Sequence, residues 1–344
     1  MTIPVRNLYY LLIYAWGHFA GGATVATGID ESPDLPNLLG RVLLDGTHRL
    51  LRRGLDRGYR ETTEYTRSPR GRFRFDRMAR ELTFLNGIAV CDADELTADV
   101  LHNQILLATL MSLASCKEVE KDLRHELRVT ALRMGQVASI RLSAELFHRV
   151  QLSRNNAHYG LLLKICEFMY WSMMPDERGA TSRFMSILED EIRMSAVFEE
   201  FLRRFYQLEQ AQYRVRAEIM RWQITAPTSS DPLLLPVMKT DLTLRSDAHT
   251  VIADAKYYRK PLGGAYGERV RSEHLYQLVT YLAHERAAES SRRISGLLLY
   301  PQVGGALHLE YELMGFPITV ATIDLSQKWR AIHNDLLRLL KALN

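Results

Sequence analysis

One short stretch limits this chain more than any other: a strand in which charge interrupts apolar residues. Val251-Ile252-Ala253 opens as a β-strand should, and then Asp254-Ala255-Lys256-Tyr257-Tyr258 places an aspartate and a lysine where a strand prefers Val or Ile. Side chains alternate along a strand, so Asp254 and Lys256 share one face, roughly 7 Å apart. Upstream, Leu233 to Leu244 reads as a second strand, joined to the first by the polar turn Arg245-Ser246-Asp247-Ala248-His249. A turn centred near Ser246 and Asp247 sets Asp241 beside Asp254. Two carboxylates side by side on a sheet repel each other unless a hard cation lies between them. Val251, Ala253 and Ala255 then form the opposite face, and Ile252, Asp254 and Lys256 are expected to look into a cleft.

Two carboxylates on one divalent cation, with a lysine beside them, form the set that phosphodiester hydrolysis needs. The cation polarises the phosphate and acidifies water, while the lysine orients that water or neutralises developing charge. The plain alternative is an exposed hairpin with surface charges, which is common on edge strands. The aspartate across the hairpin, the apolar run and the helix that follows all favour the site. That helix, 270–288, carries Gln277 and Tyr281 four residues apart and so on one face. His274 and His284 read as ordinary helix residues, and no histidine is read as a metal ligand.

At 344 residues the chain is expected to form two domains. Its 47% hydrophobic and 24% charged residues exclude a disordered or fibrous chain. The apolar runs Leu8–Trp16 and Ile105–Ala114 fall short of the roughly 20 residues a spanning helix needs. No basic leader precedes a cleavage site, so the expectation is a cytoplasmic protein with no membrane span. Cys91, Cys116 and Cys166 are scattered in apolar surroundings and read as buried thiols. The net charge of +4 is modest, yet Arg49, Arg52, Arg53, Arg57, Arg60, Arg67, Arg70, Arg72, Arg74, Arg77 and Arg80 crowd one stretch that holds no lysine. Guanidinium groups make forked contacts to phosphate or carboxylate.

Periodicity predicts helices over Arg6–Ala20, Leu38–Arg53 with a stop at Gly54, Thr97–Leu113 and Asn156–Met174. Tyr59–Phe75 alternates around Ser68-Pro69-Arg70-Gly71 and reads as a strand, turn and strand, which makes an Arg-rich hairpin at about 60–80. The break at Met173–Ala180 divides the chain into an α+β domain, 1–174, and an α/β domain with a mixed sheet, 175–344. The second half reads as a helix over Ser186–Gln210, the hairpin, the helix just described, a strand Ser295–Tyr300, a strand pair within Leu307–Ile323 and a closing helix Lys328–Leu343. Tyr9, Tyr10, Tyr14 and Trp16 read as core packing.

In order along the chain, Ile3-Pro4-Val5-Arg6-Asn7-Leu8-Tyr9-Tyr10-Leu11-Leu12-Ile13-Tyr14-Ala15-Trp16-Gly17, Leu51-Arg52-Arg53-Gly54-Leu55, Gly71-Arg72-Phe73-Arg74-Phe75, Thr240-Asp241, Asp254-Ala255-Lys256-Tyr257-Tyr258, Leu275-Tyr276-Gln277-Leu278, Gly296-Leu297-Leu298-Leu299-Tyr300-Pro301 and Gly315-Phe316 resemble the McrC nuclease subunits of McrBC modification-dependent restriction systems. The resemblance covers nearly the whole chain. It implies a PD-(D/E)xK, restriction endonuclease-like domain after residue 175, with Asp241, Asp254 and Lys256 catalytic and Mg2+ as cofactor. Thr240 stands where the motif's label has proline. Glu199, with Glu200 next, is the candidate for a further metal carboxylate from the helix before the hairpin. Gln277 and Tyr281 resemble the extra helix motif of RecB-like nucleases, and with Tyr257 they are expected to flank the site or touch DNA.

The resemblance also implies partners: an AAA+ GTPase ring of the McrB kind, and methylated double-stranded DNA. GTP would be bound by the ring, and this chain has no Gly-x-x-x-x-Gly-Lys-Ser/Thr. The N-terminal domain would plug the ring and stimulate it, with Arg67, Arg70, Arg72, Arg74 and Arg77 as the expected contacts. Dimerisation through the nuclease domain is a further expectation, with the helix Ile332–Leu343 serving an interface or the core. The competing readings are a non-catalytic GTPase-activating adaptor and a stand-alone RecB-like nuclease.

Overall fold

The computed structural model describes residues 3–17, 34–173, 191–222, 234–257, 262–263, 269–288 and 291–343. The chain divides into two compact units, Pro36–Met174 and a second one that combines Met1–Leu35 with Pro175–Asn344. The first helix, α1 (Val5–Ala15), therefore leaves the unit that a division into 1–174 and 175–344 assigns to it. The break at Met173–Ala180, the start of the helix expected at Ser186 and Tyr258 lie mostly or wholly outside the described residues.

In the unit Pro36–Met174, helix α2 (Leu35–Arg53) stops at Gly54, whose φ of +88° suits glycine. Three antiparallel strands follow, β1 (Gly58–Thr66), β2 (Arg72–Phe73) and β3 (Ala89–Thr97), with α3 (Phe75–Glu81) between the last two. Their order is β1-β3-β2, so the expected Arg-rich hairpin does not form: its two strands flank β3 and do not pair with each other. The central strand was hidden by Asp92, Asp94 and Glu95, residue types that strands disfavour. In the sheet two of those acids meet arginines, while Asp94 stands opposite Glu61. Arg60 stands opposite Glu95, and Arg74 reaches Asp92 at 3.2 Å. Gly71, at φ +83°, crosses so near to β3 that a Cβ would lie 2.2 Å from the Asp92 carbonyl oxygen.

Helices α4 (Leu101–Ser115), α5 (Lys121–Leu132), α6 (Ala144–Arg149) and α7 (Gly160–Met173) complete this unit. Helix α4 begins later than expected because Thr97 still belongs to β3. Helix α5 lies outside the expected elements, because its buried stripe of Leu123, Leu127 and Ala131 is narrow and lies among charged residues. Asp99 ties the foot of the sheet to the helices. It accepts from the Gln104 amide at 2.7 Å, the Ala138 backbone N–H at 2.8 Å and Arg60 at 2.9 Å.

The other unit runs α8 (Glu191–Glu209), β4 (Arg214–Arg216), a small antiparallel pair β5 (Ile219–Met220) and β6 (Met238–Lys239), β7 (Leu242–Arg245), β8 (His249–Ala255), a second small pair β9 (Leu262–Gly263) and β10 (Arg269–Val270), α9 (Ser272–Ala288), β11 (Arg293–Pro301), β12 (His308–Leu313), β13 (Phe316–Ile323) and α10 (Trp329–Ala342). Six strands form one sheet in the order β12-β13-β11-β8-β7-β4. Strand β11 runs parallel to both β8 and β13 while the other pairs are antiparallel, so the sheet is mixed. The parallel step from β8 to β11 needs a crossover, which α9 provides. The strand expected over Leu233–Leu244 splits, and only Leu242–Arg245 joins the large sheet.

Strand β8 is buried from end to end. Ile252 packs with Leu278, Leu282, Leu298 and Tyr300 under α9, which corrects the expectation that it looks into a cleft. At Gly296 a Cβ would come within 2.9 Å of the Leu278 side chain, so glycine lets α9 press onto the sheet. Helix α1, buried from Asn7 to Tyr14, completes the other side of this core. Tyr14 donates to Glu209 at 2.6 Å and meets Phe201 edge-on, Tyr10 stacks on Trp329 at 4.5 Å, and the Asn7 amide donates to the carbonyls of Leu325 and Gln327 at 2.8 and 2.7 Å. Burying an amide without such acceptors would cost several kcal/mol, so these bonds fix where α1 docks. Among the described residues no helix is long and apolar enough to cross a membrane.

Candidate active site

The antiparallel register pairs Leu242 with Ala253 and Thr243 with Ile252, which makes Asp241 and Asp254 the next cross-strand neighbours. The buried Thr240 hydroxyl accepts from the Glu218 backbone N–H at 2.9 Å and lies 2.9 Å from the Thr243 hydroxyl. It holds the chain just ahead of Asp241. One Asp241 oxygen accepts the Ala255 backbone N–H at 3.0 Å. Asp254 is 1% exposed, and neither of its oxygens has a well-aligned hydrogen bond. What it has is charge: the Lys256 ammonium lies 3.0 Å from Asp254 Oδ1 and 3.5 Å from Asp241 Oδ2.

Burial, with the Asp241 charge added, pushes the Asp254 carboxyl up to about 7. At Lys256 burial works to lower the pKa, but the carboxylates of Asp254 and Asp241 outweigh it and the ammonium is held. Glu199 on α8 is also pushed up, first by burial and then by Asp241, and it accepts from the Ser195 hydroxyl at 3.4 Å. The end of β8 and two helices, α8 and α9, border an open cavity of about 540 Å³ whose walls include Glu199, Lys256, Tyr257, Glu273, His274 and Gln277. Lys256 links this space to the two aspartates.

Gln277 faces the cavity as expected, but Tyr281 does not reach it. The Tyr281 hydroxyl accepts from the Gln277 amide at 2.9 Å and donates to the Lys239 carbonyl at 2.9 Å, and its ring is buried. It therefore flanks the site by holding the chain two residues before Asp241, with no face left for DNA. Tyr257 sits on the wall, edge-on to Phe198, its ring centroid 6.2 Å away. His274, read from sequence as an ordinary helix residue, lies on the same wall. Its spacing of three before Gln277 was the signal for it, since such residues share a helix face.

The donor set fits a magnesium ion. Asp254 offers two buried oxygens that lack hydrogen bonds, and Asp241 supplies a second carboxylate beside them. Magnesium is commonly held by one or two carboxylates and keeps several waters.

The arginines lie in the other unit, on the three-stranded sheet. Arg70 pairs with Glu64 at 2.7 Å, and Arg74 with Asp76 at 3.1 Å and Asp92 at 3.2 Å. Arg67 and Arg72 are exposed, and Arg77 is half-buried. From β1 to β3, Arg60, Arg67, Arg70, Arg72, Arg74, Arg77 and Arg80 are balanced by Glu61, Glu64, Asp76, Glu81, Asp92, Asp94 and Glu95, so the sheet carries no net charge. Its outstanding property is exposed apolar surface: Phe73 and Phe75 stack at 5.5 Å, Phe75 is 70% exposed, and Tyr65, Phe84 and Leu85 stand open as well.

A curated relative, the type IV methyl-directed restriction enzyme EcoKMcrBC of Escherichia coli K12, is 32% identical over 337 residues, 98% of this chain and 97% of its own length. Among solved structures, the half-complex from a tetradecameric assembly of Thermococcus gammatolerans McrB AAA+ hexamers with bound McrC matches with a TM-score of 0.59 at 18% identity, over 99% of this chain and 76% of that one. The fold is thus shared. The sequence model of the McrBC 5-methylcytosine restriction system component matches residues 6–301, and with the identity over nearly its full length the chain belongs to that family.

Proposed function

We propose that this chain is the DNA endonuclease subunit of a GTP-dependent, methylation-directed restriction complex, and that its six-stranded sheet is a PD-(D/E)xK nuclease fold. The observation that carries the reading is Asp254: a buried carboxylate with no aligned hydrogen bond, beside Asp241 and Lys256 and next to an open cavity. Two carboxylates that share a single ammonium in a buried place are costly to keep, and a metal ion between them would offset that cost.

Asp241 and Asp254 would hold Mg2+, which when bound supplies Lewis acidity toward a phosphate oxygen. The Ala255 N–H fixes the Asp241 carboxylate from behind. Lys256 keeps its proton because two carboxylates face it, and so donates to the attacking water or to the phosphate. Glu199, which lines the cavity from α8, would be a further carboxylate for the metal. Gln277 and Tyr257 border the path of the DNA strand, and Tyr281 secures the segment leading into Asp241.

The partner reading follows the relatives. An AAA+ GTPase ring would bind GTP and select methylated double-stranded DNA, while the unit Pro36–Met174 docks on the ring and stimulates it. The neutral charge and open aromatics of the three-stranded sheet favour an apolar contact there, rimmed by Arg67, Arg72 and Arg77. Dimerisation of the nuclease unit would let two strands be cut.

The test is cleavage of methylated plasmid with Mg2+ and GTP, with and without the partner GTPase, for wild type and Asp254→Ala. Cutting that needs both metal and partner, and that Asp254→Ala abolishes while GTPase stimulation survives, is the expected result. Stimulation without cutting by the wild type would leave a GTPase-activating adaptor.

A further inference from the structure

Tyr300 follows Leu299 on β11, and the parallel register pairs Leu298 with Asp254 and Leu299 with Ala255. Tyr300 is therefore the next neighbour of Lys256 and belongs to the same face of the sheet. Its hydroxyl lies 2.8 Å from His274 Nδ1, and both rings are buried, His274 at 3% exposure. The histidine occupies the first turn of α9, and it lines the same cavity as Lys256. On its other side, Nε2 lies 3.6 Å from the carboxylate of Glu273, a residue two-thirds exposed.

A carboxylate beside Nε2 favours the proton on that nitrogen, which leaves Nδ1 as the acceptor for the Tyr300 hydroxyl. Burial, with the Lys256 charge added, pushes the imidazole down to about 4, so the ring stays neutral at physiological pH. A neutral Nε2–H then stands at the wall beside the lysine, opposite an acidic side chain on flexible, solvated atoms.

We propose that His274 is a substrate-contacting residue of the nuclease site, its Nε2–H donating to a non-bridging oxygen of the DNA phosphodiester beside Lys256, with Tyr300 as the positioning residue that holds the ring. The inference rests on the nuclease reading of this site. A neutral donor complements the lysine: it stabilises charge that grows on the phosphate without adding a second cation that would weaken metal binding. Glu273 is the side chain that gives way, since an incoming phosphate repels it and it is mostly in solvent.

The experiment compares wild type, His274→Leu, His274→Gln and Tyr300→Phe in the complex with the partner GTPase. The readouts are kcat and KM for cleavage of methylated DNA, the Mg2+ concentration dependence and GTPase stimulation. His274→Leu should lower kcat on the order of 10- to 100-fold with the Mg2+ dependence and GTPase stimulation unchanged. His274→Gln, which keeps an N–H near the same place, should recover a large part of the loss, and Tyr300→Phe should fall between. If His274→Leu unfolds, the other two variants decide. Wild-type kcat in a folded His274→Leu, or a glutamine variant no better than leucine, overturns the proposal. A wild type that never cuts DNA would instead sink the nuclease reading itself.

Discussion

Asp241 and Asp254 share one ammonium group: Lys256 Nζ lies 3.5 Å from the first and 3.0 Å from the second, at the end of the β7–β8 hairpin. Such an arrangement is costly for the fold, and its cost is measurable.

Asp254→Asn should stabilise the metal-free protein by about 1–3 kcal/mol at pH 8 while abolishing cleavage. The sign follows from the raised pKa. Between the unfolded value near 4 and the folded value of about 7 the folded state holds a proton that the unfolded chain has lost, so wild-type stability falls as pH rises through that window. The gain from asparagine should therefore be small at pH 4 and full above pH 7, as read by thermal melts in EDTA. A gain independent of pH would contradict the burial argument.

Tyr281→Phe removes the hydroxyl that joins Gln277 to the Lys239 carbonyl. We expect a stability loss of about 1 kcal/mol and a few-fold drop in kcat, with DNA affinity unchanged. A loss of DNA affinity of about tenfold or more in a variant of unchanged stability would mean that the residue contacts DNA after all.

On the three-stranded sheet, the apolar side chains should matter more to the partner than the paired arginines. Replacing Phe73 and Phe75 together by serine is expected to reduce GTPase stimulation about tenfold or more, and Arg72→Ala to reduce it less. Arg70→Ala and Arg74→Ala should act chiefly through the local ion pairs they break. A titration of the partner with each variant, followed by GTP turnover, separates these outcomes.

Asn7→Ala should cost about 2–3 kcal/mol, because it deletes two buried hydrogen bonds and leaves the carbonyls of Leu325 and Gln327 without that donor. The loss should appear in the melting of the unit that contains Pro175–Asn344. Melting of Pro36–Met174 should not move.

The second half of the chain was legible in sequence because its signals were local. An apolar strand broken by Asp254 and Lys256, a polar turn and an amphipathic helix fixed the hairpin register, and with it the two aspartates. The three-stranded sheet was not legible, since β3 is built of acidic residues whose strand character comes from cross-strand arginines far along the chain. Ile252 was misplaced for a related reason: a strand covered by helices on both faces has no polar side, and alternation cannot reveal which residues meet the cavity. His274 was readable from its spacing to Gln277. The Tyr300 that holds it was not, because only the parallel pairing of β11 with β8 brings it near.

The placement of α1 sets the order in which the protein can be completed during synthesis. This helix, buried from Asn7 to Tyr14, is made before the residues it docks on: Phe201 and Glu209 follow much later and Trp329 later still. At roughly 5–20 residues per second the wait is on the order of half a minute. The unit Pro36–Met174 can close in the meantime, while the unit that contains α8 remains open until α10 is made. A chain stopped before Trp329 would thus hold a closed Pro36–Met174 and an α1 that lacks its stacking partner.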